Sequence, residues 1–198
     1  MHFASYILRM TFEWTAHRFS GGALAFDLVN TIVCRNQPDK RIDRLSGSEA
    51  VATFAKAAAR FRSGEIADVA ISASETLSAN QNLLGLREAI DGYFRPVIIG
   101  GVPEKGCLSA LFAAAAIATD GDEHPGNLGA LASVSAMRLL DGALLRRAKI
   151  CPNCDWLFLD RSKNQSRLWC DMAVCGNRNK AKLHYSKQRA TGKEGAHV

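Results

Sequence analysis

No stretch of this 198-residue chain approaches the ~18–20 unbroken apolar residues of a membrane span. Its most apolar run, Leu108–Ala118, stops at Thr119-Asp120. The first ten residues lack the basic start, apolar centre and small-residue cleavage site of a secretory signal, so a soluble, cytoplasmic protein is expected. Met10 offers an alternative start, with Met1–Arg9 then an extension. Internal repeats and low-complexity tracts are missing too. At 47% hydrophobic and 22% charged residues, the composition excludes wholesale disorder and a coiled-coil rod. Histidine is scarce: residues 19–150 hold only His124, and no nucleophile–base pair stands at recognisable spacing. No catalytic residue is assigned, and the chain is not read as an enzyme. An active site assembled in three dimensions within the helical part is the rival reading.

Acidic residues are nearly missing from one end. Residues 1–150 balance 16 Lys+Arg against 15 Asp+Glu, whereas residues 151–198 set 9 against 4. Between Arg161 and Arg189 eight basic residues face a single acid, Asp171. Charge of one sign gathered at one end points to a polyanion such as nucleic acid, against the plainer reading of a solvated basic tail.

Helical signals dominate before residue 150, and strand signals are thin. Leu24, Leu28 and Thr31 recur at helical spacing after Ser20-Gly21-Gly22. Ser46-Gly47-Ser48-Glu49 supplies capping residues for a segment ending near Ser63-Gly64. Leu83, Leu86, Ile90 and Tyr93 predict a helix that Pro96 should end or kink. Gly106–Ala118 is helical by propensity, and a polar loop follows from Asp120 to Gly126. A last helix is expected over Ser133–Ala148, with Val134, Met137, Leu140 and Leu144 inward. Trp156–Asp160 then reads as a short strand, with a turn at 162–166 and a return, and Asn177–Arg189 as a closing helix. The expected fold is mainly α: an extension (1–18), a helical domain (19–148), a small module (149–190) and a flexible tail (191–198).

Four of the six cysteines fall within that module as C-x2-C-x15-C-x4-C: Cys151, Cys154, Cys170 and Cys175. Two closely spaced pairs suit four thiolates around one tetrahedral Zn2+, and Gly176 after the second pair would ease a left-handed turn. A redox C-P-x-C dithiol does not account for Cys170 and Cys175, and the spacing matches neither ferredoxin pattern. Few large apolar groups lie nearby, so metal should supply much of the module's stability. Four thiolates close the site without Asp160, which is expected to cap or to pair with Arg161 or Arg167. His184 reads as a surface group, and Cys34 and Cys107 as small buried hydrophobes.

The run Cys151-x2-Cys154-Asp-Trp-Leu-Phe-Leu-Asp160-Arg-Ser-x4-Arg167-x-Trp169-Cys170-x-Met172-Ala-x-Cys175-Gly176-Asn177-Arg178-x-Lys180 resembles the CGNR zinc finger. Family members often place three residues, not two, between the first cysteines. Gly21-Gly22-x-Leu24-Ala-x-Asp27-x-Val29-Asn30-Thr31 and Leu86-Arg87-Glu88-Ala89 resemble the N-terminal stress-induced transcription regulator (ABATE-type) domain that accompanies this finger in bacteria. The resemblance implies a helical regulatory or ligand-sensing domain, followed by a treble-knuckle or ribbon-like finger with one zinc ion. It also implies a nucleic-acid target, DNA more than RNA, and a role in transcription regulation.

Arg178, Lys182 and Arg189 share one stripe of the closing helix with Tyr185, and Lys180, His184 and Lys187 a neighbouring one. Arg161, Lys163, Asn164, Gln165 and Arg167 form a second basic, polar loop. Phosphates would meet these cations, while Asn177, Arg178 and Gln188 carry donors suited to base edges. A protein-interaction module is the third reading. In the helical domain, Asp27, Asn30 and Thr31 interrupt an apolar segment. They either line an effector pocket or tie down a neighbouring element through buried hydrogen bonds, with Arg87 as Asp27's partner in either case.

Overall fold

The computed structural model describes residues 12–66, 71–73, 76–120, 124 and 126–191. Of the tail expected over 191–198, Thr191 closes the last helix and 192–198 lie outside the described residues, as does most of the 120–126 loop. The fold is mainly helical. At its centre runs α1 (Leu24–Val29), six residues long and buried at every position. So short a helix has little stability of its own and is held by its neighbours. These are α4 (Leu77–Ile98) and α6 (Leu128–Arg138), with α5 (Cys107–Thr119) packed across both. On another side α2 (Ser48–Phe61) buries Val51, Phe54, Ala55 and Ala58, the i, i+3, i+4, i+7 set of one helical face. Phe54 stacks on Phe19, and Trp14 meets both rings edge-on, so residues 14–19 lie against this helix.

Strands are few and short. β1 (Ile32–Val33) pairs antiparallel with β2 (Ile42–Asp43). After the one-turn helices α3 (Ser63–Ile66) and α7 (Gly142–Leu145), β3 (Ala148–Ile150) pairs antiparallel with β4 (Leu157–Leu159) in the register Ala148↔Leu159, Ile150↔Leu157. The last helix, α8 (Asn177–Thr191), follows a π-turn at Met172–Gly176.

Several expectations are corrected. The helix expected over 133–148 breaks after Arg138, because the Asp141 carboxylate accepts from the Ala143 N–H and caps α7, and the chain then extends into β3. Within α6, Ser133, Ser135 and Ala136 face inward and Val134 is exposed. The Ser135 hydroxyl holds that face by accepting from the Ala25 N–H at 3.0 Å. Pro96 does not end α4, which runs on to Ile98, where Gly100 and Gly101 donate back to Val97 and Pro96. The chain returns to the second cysteine pair over 167–170 without forming a strand, and β4 pairs instead with β3, on the near side of the first cysteine pair. Cys34 and Cys107 are half-buried, one in the turn after β1 and the other opening α5.

Candidate metal centre

The β3–β4 hairpin turns through Cys151–Cys154. The Cys151 N–H donates to the Trp156 carbonyl at 2.9 Å and the Asp155 N–H to the Cys151 carbonyl at 2.8 Å, which folds this segment into a knuckle. The second knuckle is organised by Asp171, whose carboxylate accepts from the Ala173 and Val174 N–H groups and lies 2.9 Å from His17 Nδ1. Its carbonyl accepts from Cys175 and Gly176. Sequence reasoning passed over Asp171, although an Asp just before a helical turn is a capping signal. Gly176 does not adopt a left-handed conformation. It is needed for space, because a Cβ there would sit 2.2 Å from Met172 Sδ and 3.3 Å from Trp169 Cδ1.

The two knuckles bring the four Sγ atoms of Cys151, Cys154, Cys170 and Cys175 within 4.8 Å of one another. Cys154 and Cys170 are 3.5 Å apart, and Cys170 and Cys175 3.6 Å. Sulfurs bound tetrahedrally at the Zn–S distance of about 2.3 Å are about 3.8 Å apart, so the donor set fits the ion closely. Hydrogen bonds with Cys154 and Cys170 hold the Cys151 thiol far below its ordinary range. The bond with Cys151 raises Cys154 strongly and pushes Cys170 up to about 12. Crowded sulfurs without a cation share protons; a dication is what lets all four ionise together.

Residues 147–188 match the CGNR zinc finger family. No curated protein and no solved structure matches the chain. The matched finger and its four cysteines together support zinc as the metal. The resemblance of Gly21–Thr31 to a regulator domain lies outside the matched stretch.

The matched finger is built into the body. Successive residues of β4, with Trp156 just before it, face opposite ways: Leu157 and Leu159 join the body's core, while Trp156 and Phe158 close over the cysteines. Asn30 acts as a side-chain substitute for a neighbouring strand, accepting from the Leu157 N–H and donating to its carbonyl, both at 2.9 Å. The Leu159 N–H donates to the Gly21 carbonyl, and Gly22, at φ +79°, leaves the room this needs, because a Cβ on it would sit 3.0 Å from Leu159 Cβ. Asp27 accepts from the Gly21 N–H at 2.8 Å and pairs with Arg62. Its expected partner, Arg87, instead forks onto Asp43 at 2.7 and 2.8 Å and reaches Thr31 Oγ1 at 3.2 Å. Helix α2 ends beside Asp27, and α4 runs beside β2, which decides both pairings. Burial pushes the Asp27 carboxyl up to about 6 despite Arg62. A groove of about 510 Å³ between α3, α6 and β4 is lined by other residues, Arg62, Glu65, Arg138 and Arg161 among them.

Asp160 pairs with neither Arg161 nor the Arg167 guanidinium. Lys149, on the paired strand, reaches it at 2.7 Å, and it accepts from Ser162 and from the Arg167 backbone N–H. Burial would raise this carboxyl, but those donors hold it well below the usual range. Arg167 is turned inward, donating to the Cys170 carbonyl and lying 5.3 Å from the Phe158 ring. The Asn177 amide is engaged with the Ala173 carbonyl. Arg161 donates to the Gly22 carbonyl at 2.7 Å but is otherwise exposed, and Lys163, Arg178, Lys180, Lys182, His184 and Arg189 are exposed. The Lys187 side chain lies outside the described residues.

Proposed function

We propose that this protein is a transcription regulator of bacterial type that grips nucleic acid, DNA in preference to RNA, through its zinc finger and α8. One zinc ion per chain, a cytoplasmic setting and no catalytic role belong to the same reading. The observation that carries it is α8 itself. Its side chains are exposed at every described position except half-buried Asn179, and its sequence has five Lys or Arg and no acid. A helix with no buried face gains little from packing and is suited to meeting a partner along its length. Starting directly from the Cys175 knuckle, it has a fixed exit direction that a basic tail would lack. Zinc fingers often bind nucleic acids. No helix among the described residues is long and apolar enough to cross a membrane, so the cations do not flank a membrane-spanning helix there. A small-molecule effector would find room in the Arg62–Arg161 groove, since Asp27, Asn30 and Thr31 are already bonded.

Exposed Leu168 and Met172 beside the finger favour a second reading, a protein partner. Selection of bound fragments from random DNA and RNA pools separates the two. Recovery of duplex DNA supports the proposal, and binding should weaken with salt at about −0.9 in log–log slope per phosphate neutralised. Lys182→Ala should reduce that slope by about one across all sequences. Recovery of neither nucleic acid at low salt overturns it.

A further inference from the structure

Three arginines from distant parts of the chain converge beside the finger. Arg18 lies in the short 3-10 turn before α1, Arg44 just after β2, and Arg178 in the first turn of α8. The Arg18 guanidinium is 5.3 Å from the Phe12 ring centroid and 5.6 Å from that of Trp156, which is buried among the metal-ligating cysteines. Arg44 lies 4.3 Å from the same Phe12 ring. Burial, then Arg44 and Arg178, push Arg18 below its ordinary range, so Arg18 feels the charge of both.

None of the three forms an ion pair among the described residues. Among the described residues, Arg44 Nε is buried with no hydrogen-bond partner. The eleven residues before Phe12 contain no Asp or Glu that could serve as counter-ion. Three clustered cations without an anion repel one another, and aromatic faces hold guanidinium planes while leaving their N–H edges free. A tetrathiolate zinc centre, at net −2, would offset part of this charge. It leaves an excess, however, and no hydrogen bond joins these arginines to a ligand sulfur among the described residues.

We propose that Arg18, Arg44 and Arg178 together bind a phosphate of the nucleic-acid backbone, so that body and finger grip the strand jointly. The proposal rests on the nucleic-acid reading above. Planar guanidinium forks match phosphate oxygens in pairs; Phe12 and Trp156 flank the Arg18 and Arg44 forks, and the start of α8 fixes where Arg178 leaves the backbone.

The test measures duplex-DNA affinity against salt for the full-length, zinc-loaded protein and for Arg18→Gln, Arg44→Gln, Arg44→Lys and Arg178→Gln, with Lys182→Ala as the reference. Zinc content is read in parallel. Each Gln variant should weaken all sequences alike and lower the salt slope by about one, with zinc retained, while Arg44→Lys keeps most of the slope. Arg178 is exposed, so its variant reports even if substitution at Arg18 or Arg44 disturbs folding. Wild-type slopes in the Gln variants, alongside a reduced slope for Lys182→Ala, overturn the clamp and leave the nucleic-acid reading standing. Zinc loss in the Gln variants with unaltered binding assigns the arginines to the metal centre and also overturns it. Absence of binding by the wild type overturns both.

Discussion

The helical body and the cysteine module are held together by different forces. In the body, α1 is enclosed by α4 and α6, and Phe26, Phe54, Leu86, Ile90 and Phe94 are buried completely, so apolar burial dominates. The module's own cluster is Cys151, Trp156, Phe158, Cys170 and Cys175, with three of its five members metal ligands. One would expect such parts to be separable. They are not, because β4 is a wall of both: Leu157 and Leu159 belong to one core, Trp156 and Phe158 to the other. Polar groups fasten the seam, with Asn30 on Leu157, His17 on Asp171 and Gly21 on Leu159. A metal centre with so small a core of its own is stabilised by sharing a strand with the body. The helix it launches thereby takes its direction from the whole molecule.

The largest expected effect comes from removing the metal. Cys170→Ser should reduce zinc from about one per chain to near none by elemental analysis, and circular dichroism should lose signal equivalent to α8. Because β4 is shared, the body's melting temperature should fall as well. An unchanged body transition would show that the two regions are independent. Second comes Asn30→Ala, which leaves the Leu157 N–H and carbonyl buried without partners, at about 1–3 kcal/mol for each group. Chemical denaturation should show this loss, and zinc should dissociate more readily from the folded variant. A neutral result would mean that Asn30 does not hold the seam.

The smallest effect concerns the body alone. Asp27 has a folded-state value near 6, above that of an unfolded aspartate. Its contribution is therefore fully present below the ordinary carboxylate range and is lost as pH rises through about 6. Relative to Asp27→Asn, wild-type stability should fall by up to about 1.4 kcal/mol per pH unit between about 4 and 6. Parallel pH curves for the two proteins would contradict the assignment. A thermal-shift screen of small metabolites on both proteins checks in addition that Asp27 is structural, since a lost ligand response in a normally folded variant would mark it as a binding residue.

Local patterns in the sequence carried the helices of the body and the donor set of the metal centre. Periodicity placed α2 and α4, and the paired spacings of Cys151–Cys154 and Cys170–Cys175 identified the ligands. Long-range choices were hidden. Whether Asp27 meets Arg62 or Arg87 depends on how α2 and α4 lie, which no spacing records. The expected helix ends at Ala148, the first residue of β3, because Ala148-Lys149-Ile150 is too short to declare itself a strand and its partner lies across the knuckle. Four thiolates leave Asp160 outside the ligand set, but only the β3–β4 pairing makes Lys149 its neighbour. A short strand over Trp156–Asp160 does not record that Leu157 and Leu159 pack into the body's core against α1. Arg18 and Arg44 are single residues in unrelated segments, so nothing in the order of residues joins them to Arg178.

The most direct test of the account is the affinity for duplex DNA across a salt series, measured on zinc-loaded and chelator-stripped protein side by side. The account predicts linear log–log salt dependence with several phosphates neutralised in the loaded form, and a large loss of both affinity and slope once zinc is removed. Equal binding by the two forms, or none by the loaded protein at low salt, would contradict the claim that the metal centre directs a cationic helix onto nucleic acid.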